Sequence, residues 1–343
     1  MIKPTKKKLF GIGLLIVFAL PLTACSDGFS QEPNSSLHAQ NSTAEQLAEE
    51  TKDIPPKEVP STAQSKASSS SRDHAPSVRV PKADGIITYS NLLDTIVIDA
   101  SHTEDGYVMV NYTGDNTKVK LQITGPNSLT YTYDLHGFEY ETFPLTSESG
   151  KYTIAVYESV ASGKYSTALS ETIDVNIKDE FGPYLYPNQY VDFDASTQAV
   201  ALASDIVKEA SNDLDAVADV YNYVIQNVSY DYDKANTVQS GYLPIIDDTL
   251  VTKKGICFDY ASLMAAMLRS QNIPTRLEIG YASDSYHAWI STYITDIGWV
   301  NGIIEFDGKD WTLMDPTFAA SSSEKALKKF IGDGSNYVSE YVY

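Results

Sequence analysis

The chain has 343 residues, a length that suggests about two folded domains. Its 45 Asp+Glu outnumber 25 Lys+Arg to give a net charge of −20, which would repel nucleic acid rather than gather its phosphates. Only two cysteines are present, Cys25 and Cys257, which excludes a disulfide-dense scaffold and any Cys₄ or Cys₂His₂ zinc site.

At the amino terminus Lys3, Lys6, Lys7 and Lys8 precede an uncharged run from Leu9 to Leu22. The run is shorter than the ~20 residues a transmembrane helix needs and matches the core of an export signal. It ends in Leu22-Thr23-Ala24-Cys25, which resembles the lipobox of bacterial lipoproteins. That resemblance implies that residues 1–24 are a signal peptide and that Cys25 is acylated and becomes the new N-terminus. The protein would then be held on the extracytoplasmic face of the cell membrane. Losing residues 1–24, with four Lys and no acids, would take the charge from −20 to −24.

Residues 25–85 are dominated by Ser, Thr, Pro, Ala, Gln and Glu, with Ser68-Ser69-Ser70-Ser71 and Pro55-Pro56 among them. So few large apolar side chains cannot offset the ordering entropy, and the segment is expected to be a disordered stalk. A coil of about 60 residues spans on the order of 45 Å. His38 and His74 fall within it and read as solvated linker residues.

From 86 to 178 the pattern becomes short runs with alternating apolar positions: Thr95–Ala100, Tyr107–Tyr112, Val119–Thr124, Leu129–Tyr133, Tyr152–Tyr157 and Thr172–Ile177. Turn signals such as Asp105-Gly106, Gly125-Pro126-Asn127 and Ser162-Gly163 separate them, the spacing expected of an antiparallel sandwich of seven or eight strands. The pattern predicts an all-β immunoglobulin-like or fibronectin-like domain, without a Cys…Trp…Cys signature. Its many tyrosines fit half-buried strand positions better than a glycan-binding stripe. His102 and His136 lie near turns without metal-like spacing.

Residues 179–195, with Gly182-Pro183 and Pro187-Asn188, read as a linker. After it Ser196–Ala210 and Asp213–Val228 carry helical periodicity, with Ser196 and Asp213 as candidate caps. A helix over Cys257–Ser270 follows, then strands at Thr275–Tyr281, His287–Tyr293 and Trp311–Met314 and a last helix at Glu324–Ile331. Helices followed by a sheet indicate an α+β domain over 196–343.

Lipidation of Cys25 would leave Cys257 without an intramolecular partner, so it is either a buried hydrophobe or a reactive thiol. Gly255-Ile256-Cys257-Phe258-Asp259-Tyr260 leads from a turn into an apolar helix, which places the sulfur at a helix start. Free N–H groups and the positive end of the dipole favour thiolate at such a position. A thiol nucleophile also needs a base and a group that orients the base. His287 opens the run His287-Ala288-Trp289-Ile290, and Asp315 closes Trp311-Thr312-Leu313-Met314-Asp315-Pro316-Thr317. Two neighbouring strands could bring both to the helix start.

The segment GICFDYASLMAAMLRSQNIPTRLEIGY, followed by HAWI and by W-x-L-M-D-P-T, resembles the transglutaminase-like superfamily of papain-like fold, over about 196–343. The resemblance implies Cys257 as nucleophile, His287 as general base and acid, and Asp315 as the residue orienting His287. Val228-Ser229-Tyr230-Asp231-Tyr232 resembles the same family's entry to its core. Family members include cross-linking transglutaminases, cysteine peptidases, amidases and inactive relatives.

No HExxH, CxxC, phosphate-binding glycine loop or complete EF-hand loop is present, and neither a cofactor nor a metal is expected. The paired acids Asp231/Asp233 and Asp247/Asp248 read as a solvated surface, and Asp259 as stabilisation of the helix start. The expectation is a membrane-anchored lipoprotein doing thiol-dependent amide chemistry on extracellular protein or cell-wall peptide. Hydrolysis is favoured over amine cross-linking because water is abundant. The alternative is a catalytically silent binding or adhesion protein using both domains as interaction surfaces. The oligomeric state is not set by the sequence.

Overall fold

Period-two burial builds the first region. Its strands are β1 (Thr88–Ser90), β2 (Ile96–Asp99), β3 (Tyr107–Tyr112), β4 (Val119–Thr124), β5 (Thr130–Leu135), β6 (Tyr140–Pro144), β7 (Gly150–Ala161) and β8 (Lys164–Val175). In β4, Val119, Leu121 and Ile123 are buried while Lys120, Gln122 and Thr124 are half-exposed, as one covered sheet face requires. The strands pair antiparallel in two sheets, β1-β2-β3-β6 and β5-β4-β7-β8. Ile96, Ile98, Val108, Val110 and Phe143 of the first sheet and Leu121, Ile123, Ile154 and Val156 of the second belong to one buried core. The sequence pattern missed β6, and it placed the last strand at 172–177 where β8 in fact begins at Lys164. The Ser162-Gly163 turn makes β7 and β8 one long hairpin, with Gly163 at φ 66°.

The computed structural model describes residue 72 and residues 75–282, 285–295, 298–301, 303–306, 311–314 and 337–343. The expected stalk was drawn to residue 85, but residues 75–85 lie along the packed region. Ser77 N donates to Ser270 O (2.7 Å), Arg79 pairs with Asp179 (2.5 Å) and stacks over Tyr186, and Gly85 N donates to Asp99 Oδ2 (2.7 Å). Hydrogen bonds, a cation–π contact and the packing of Val78 against the core hold this short segment. Imidazole nitrogens of His102 lie 2.7 Å from Asp84 and 3.0 Å from Asp105.

The stretch expected to be a linker is also built into the interior. Pro183, Tyr184, Leu185, Tyr190, Val191 and Phe193 are buried. Tyr190 stands edge-on to Phe258 (5.4 Å) and to Tyr343 (4.4 Å), and Tyr343 in turn meets Tyr131 (5.4 Å) and Tyr133 (6.0 Å) of β5. The β5 tyrosines therefore face a tyrosine cluster that joins the β-rich region to the C-terminal one, which explains why they are buried. All the described residues fall within one compact unit.

The C-terminal region contains α1 (Gln198–Ile206), α2 (Asp213–Asn227), β9 (Ser229–Tyr230), α3 (Tyr232–Thr237), α4 (Ile246–Thr252), β10 (Lys254–Gly255) and α5 (Cys257–Arg269). Next come β11 (Thr275–Ala282), β12 (Ser285–Ile294), β13 (Gly298–Asn301), β14 (Ile303–Phe306), β15 (Trp311–Met314) and β16 (Tyr337–Val342). The sheet order is β13-β12-β11-β16, antiparallel throughout, and β14 and β15 form a separate ribbon. Every residue of α5 is buried, as expected for a central helix, and it packs against β11, β12, α1, α2 and α4. Asn272, at φ 58°, ends α5 in a Schellman turn: Ile273 N bonds to Leu268 O and Asn272 N to Arg269 O. Pro274 then bars any continuation.

The expected caps shift by one position. Asn212, not Asp213, caps α2 by accepting from Asp215 N (2.9 Å), and Thr197 precedes α1. The acids read as solvated surface include two working caps. Asp247 accepts from Gln198 N and Ala199 N at the start of α1, and Asp231 accepts from Lys234 N at the start of α3. The leader, Cys25 and the expected helix at 324–331 lie outside the described residues, and among the described ones no helix is long and apolar enough to cross a membrane.

Candidate functional site at the start of α5

Cys257 is the first residue of α5, a free thiol that is 6% exposed. The turn in front of it is held from two sides. Parallel pairing of β9 with β10 sets Tyr230 beside Gly255, and Asp231 N donates to Gly255 O (2.9 Å). One turn into α5, Tyr260 donates its hydroxyl to Val228 O (2.6 Å). The Val228–Tyr232 motif thus fixes the backbone that presents the thiol.

Asp259 is fully buried two residues after Cys257 and closes the helix start. Its Oδ2 accepts from Ile256 N (2.8 Å), the half of a capping box that satisfies an otherwise orphaned backbone donor. The same oxygen accepts from Lys234 Nζ (2.8 Å), and Oδ1 accepts from the Tyr242 hydroxyl (2.5 Å). Lys234 Nζ lies 4.4 Å from the centre of the Tyr242 ring. Burial, together with the Asp259 charge beside it, pushes the Tyr242 phenol far above its ordinary range, so it remains a donor. Gly255 leaves the room this needs, since a Cβ there would lie 2.7 Å from the Asp259 Cβ.

His287 is in β12, 6% exposed, opposite Gly280 of β11. Its ring stacks near Trp289 (6.4 Å, 23°), and Trp289 stands edge-on to Tyr337 (5.1 Å, 78°). Glu278, opposite Trp289 in the register, accepts from the hydroxyls of Ser291 and Ser339 and ties β16 to β12 across β11. Of the three residues singled out by sequence, the structure describes Cys257 at the head of the central helix and His287 on a strand packed against that helix. Asp315 directly follows β15 and lies outside the described residues.

Sequence reasoning missed Lys234 and Tyr242. They lie 25 and 17 residues before Asp259, and no short-range spacing marks either. Among the described residues, no three His, Cys, Asp or Glu side chains converge as a metal site requires.

An apolar central helix thus carries a thiol at its first residue and packs against an antiparallel sheet that carries a histidine. Residues 200–302 match the transglutaminase-like superfamily, a span that includes Cys257 and His287, so these residues form a transglutaminase-like domain. The uncharacterised protein YebA of Bacillus subtilis is 24% identical over 189 residues, 49% of this chain and 26% of YebA. The UPF0252 protein MJ1282 of Methanocaldococcus jannaschii is 33% identical over 90 residues, 23% of this chain and 26% of that protein. The chain therefore matches about a quarter of the length of either relative. The periplasmic domain of TgpA from Pseudomonas aeruginosa overlaps 66% of this chain and 94% of its own, at 14% identity and a TM-score of 0.31, too low to bear on the reading.

Proposed function

We propose that this protein is a surface-anchored thiol acyl-transfer enzyme, with Cys257 as nucleophile, His287 as general base and acid, and Asp315 as the group orienting His287. The observation that carries the reading is the free thiol of Cys257 at the first position of a buried helix whose start is locked by Asp259. Amides in a first helical turn have no intrahelical acceptor, which supplies one donor for an oxyanion.

In this reading His287 takes the thiol proton and the thiolate attacks an amide carbonyl. The C–N bond breaks as His287 protonates the leaving amine, and a thioester remains. Water, deprotonated by His287, then attacks the thioester, releases a carboxylic acid and restores the thiol. A primary amine in place of water would yield a new amide. Hydrolysis is the favoured outcome, with extracellular protein or cell-wall peptide as substrate. The β-rich region is assigned an immunoglobulin-like sandwich that carries the domain, and Cys25 a lipid anchor.

Incubating the full chain with a peptide and a fluorescent primary amine tests this. Wild type is expected to cleave the peptide or incorporate the amine, and Cys257→Ala to do neither. Equal behaviour of the two proteins would sink the enzymatic reading.

A further inference from the structure

Asp259 places a fully buried negative charge in the same helical turn as Cys257, and by itself it would oppose formation of a thiolate there. Lys234 answers that charge. Its ammonium is 2.8 Å from Asp259 Oδ2, and that oxygen is 2.8 Å from Ile256 N, so Lys234 lies no more than two hydrogen-bond lengths from the peptide that precedes Cys257. Lys234 comes from α3, whose first turn is fixed by the Asp231 cap, and it is 29% exposed, so the pair is only partly screened.

We infer that Lys234 is a positioning residue for the thiol site: through Asp259 it both locks the first turn of α5 and offsets the buried charge that lies in the same turn as Cys257. This rests on Cys257 being the nucleophile. Other charged or titratable groups belong to the elements packed on α5: Asp231 caps α3, Tyr242 donates to Asp259, Asp248 acts on Tyr242 from α4, Lys254 lies on β10, and β12 carries His287. Among them the Lys234 ammonium is the cation that touches Asp259.

The test is the pH dependence of iodoacetamide alkylation in the full chain, read on the Cys257 peptide by mass so that Cys25 does not interfere. Lys234→Met is expected to raise the alkylation midpoint, since an unpaired Asp259 carboxylate opposes a second negative charge in the same turn. Lys234→Arg should restore it. Asp259→Asn, which keeps an acceptor for Ile256 N, should lower the midpoint, and the double variant Lys234→Met with Asp259→Asn should return it close to wild type.

An unmoved midpoint in folded Lys234→Met, or single-variant shifts of the same sign, would overturn the inference. If Lys234→Met fails to fold, the comparison of Asp259→Asn with the double variant decides: equal midpoints would mean that Lys234 exerts no field on the thiol. Alkylation does not require turnover. A protein inactive on peptide and amine yet showing these shifts would lose the enzymatic reading and keep only the coupling between Lys234 and the thiol, whereas an active protein without the shifts would keep the enzyme and lose the role of Lys234.

Discussion

Arg269→Ala is expected to lower the free energy of unfolding by about 4 kcal/mol, measured as a shift in denaturant midpoint at constant slope. Arg269 ends α5 and is fully buried. Its Nε donates to Thr275 O (3.0 Å), one terminal nitrogen to Tyr186 O (2.8 Å) and the other to the main-chain oxygen of Tyr343 (2.9 Å). Burial pulls the guanidinium down to about 9, and three main-chain oxygens accept its hydrogen bonds. Each carbonyl left unpaired costs about 1–3 kcal/mol, and a cavity opens between three segments. Arg269→Lys keeps the charge, but a single ammonium cannot span three acceptors in the guanidinium plane, so roughly half the loss should remain. A loss below about 1 kcal/mol for alanine would show that water replaces the guanidinium without penalty.

Arg269 also shows why the sequence reads some parts of this fold and not others. The elements around Cys257 are legible because local signals agree. Gly255 opens the turn and an uninterrupted apolar helix follows, Asn272 and Pro274 end it, and the runs expected as strands at 275–281 and 287–293 lie within β11 and β12. The observed α5 differs from its expected range by one residue at its end. The 179–195 segment is not legible, because Tyr184, Leu185, Tyr190 and Phe193 are buried without any period and its Gly-Pro signals mark a turn that happens to be interior. Strand β16 is lost for another reason: its centre, Val338-Ser339-Glu340, is exposed and shows no buried period, although the Ser339 hydroxyl donates to the buried Glu278 carboxylate. At the site, the thiol and imidazole announce themselves by residue type and motif. The Lys234–Tyr242–Asp259 contacts join residues whose proximity only the folded chain creates.

Gly280→Ala should cost about 2–4 kcal/mol of stability, against about 1 kcal/mol for Gly163→Ala. Both glycines are single-methyl tests, but their surroundings differ. Gly163 turns the β7–β8 hairpin at φ 66° with nothing within 4 Å of a new Cβ, so its cost is backbone strain alone. At Gly280 a Cβ would meet Val338 O at 2.0 Å and Glu340 N at 2.9 Å, and both are backbone atoms of β16. No rotamer relieves that overlap, so β16 must move away from β11 at the point where the register already shifts. That motion would strain the Glu278–Ser339 bond, the Trp289–Tyr337 contact and the paired Leu277–Tyr343 hydrogen bonds (2.9 and 2.8 Å). Because Gly280 is the register partner of His287, the displacement reaches the strand that carries the candidate base. Turnover in Gly280→Ala should therefore fall by more than its folded fraction accounts for, while Gly163→Ala should lose activity only in proportion to its unfolded fraction. Equal midpoints for the two variants would mean that β16 does not approach β11 as closely as the register requires.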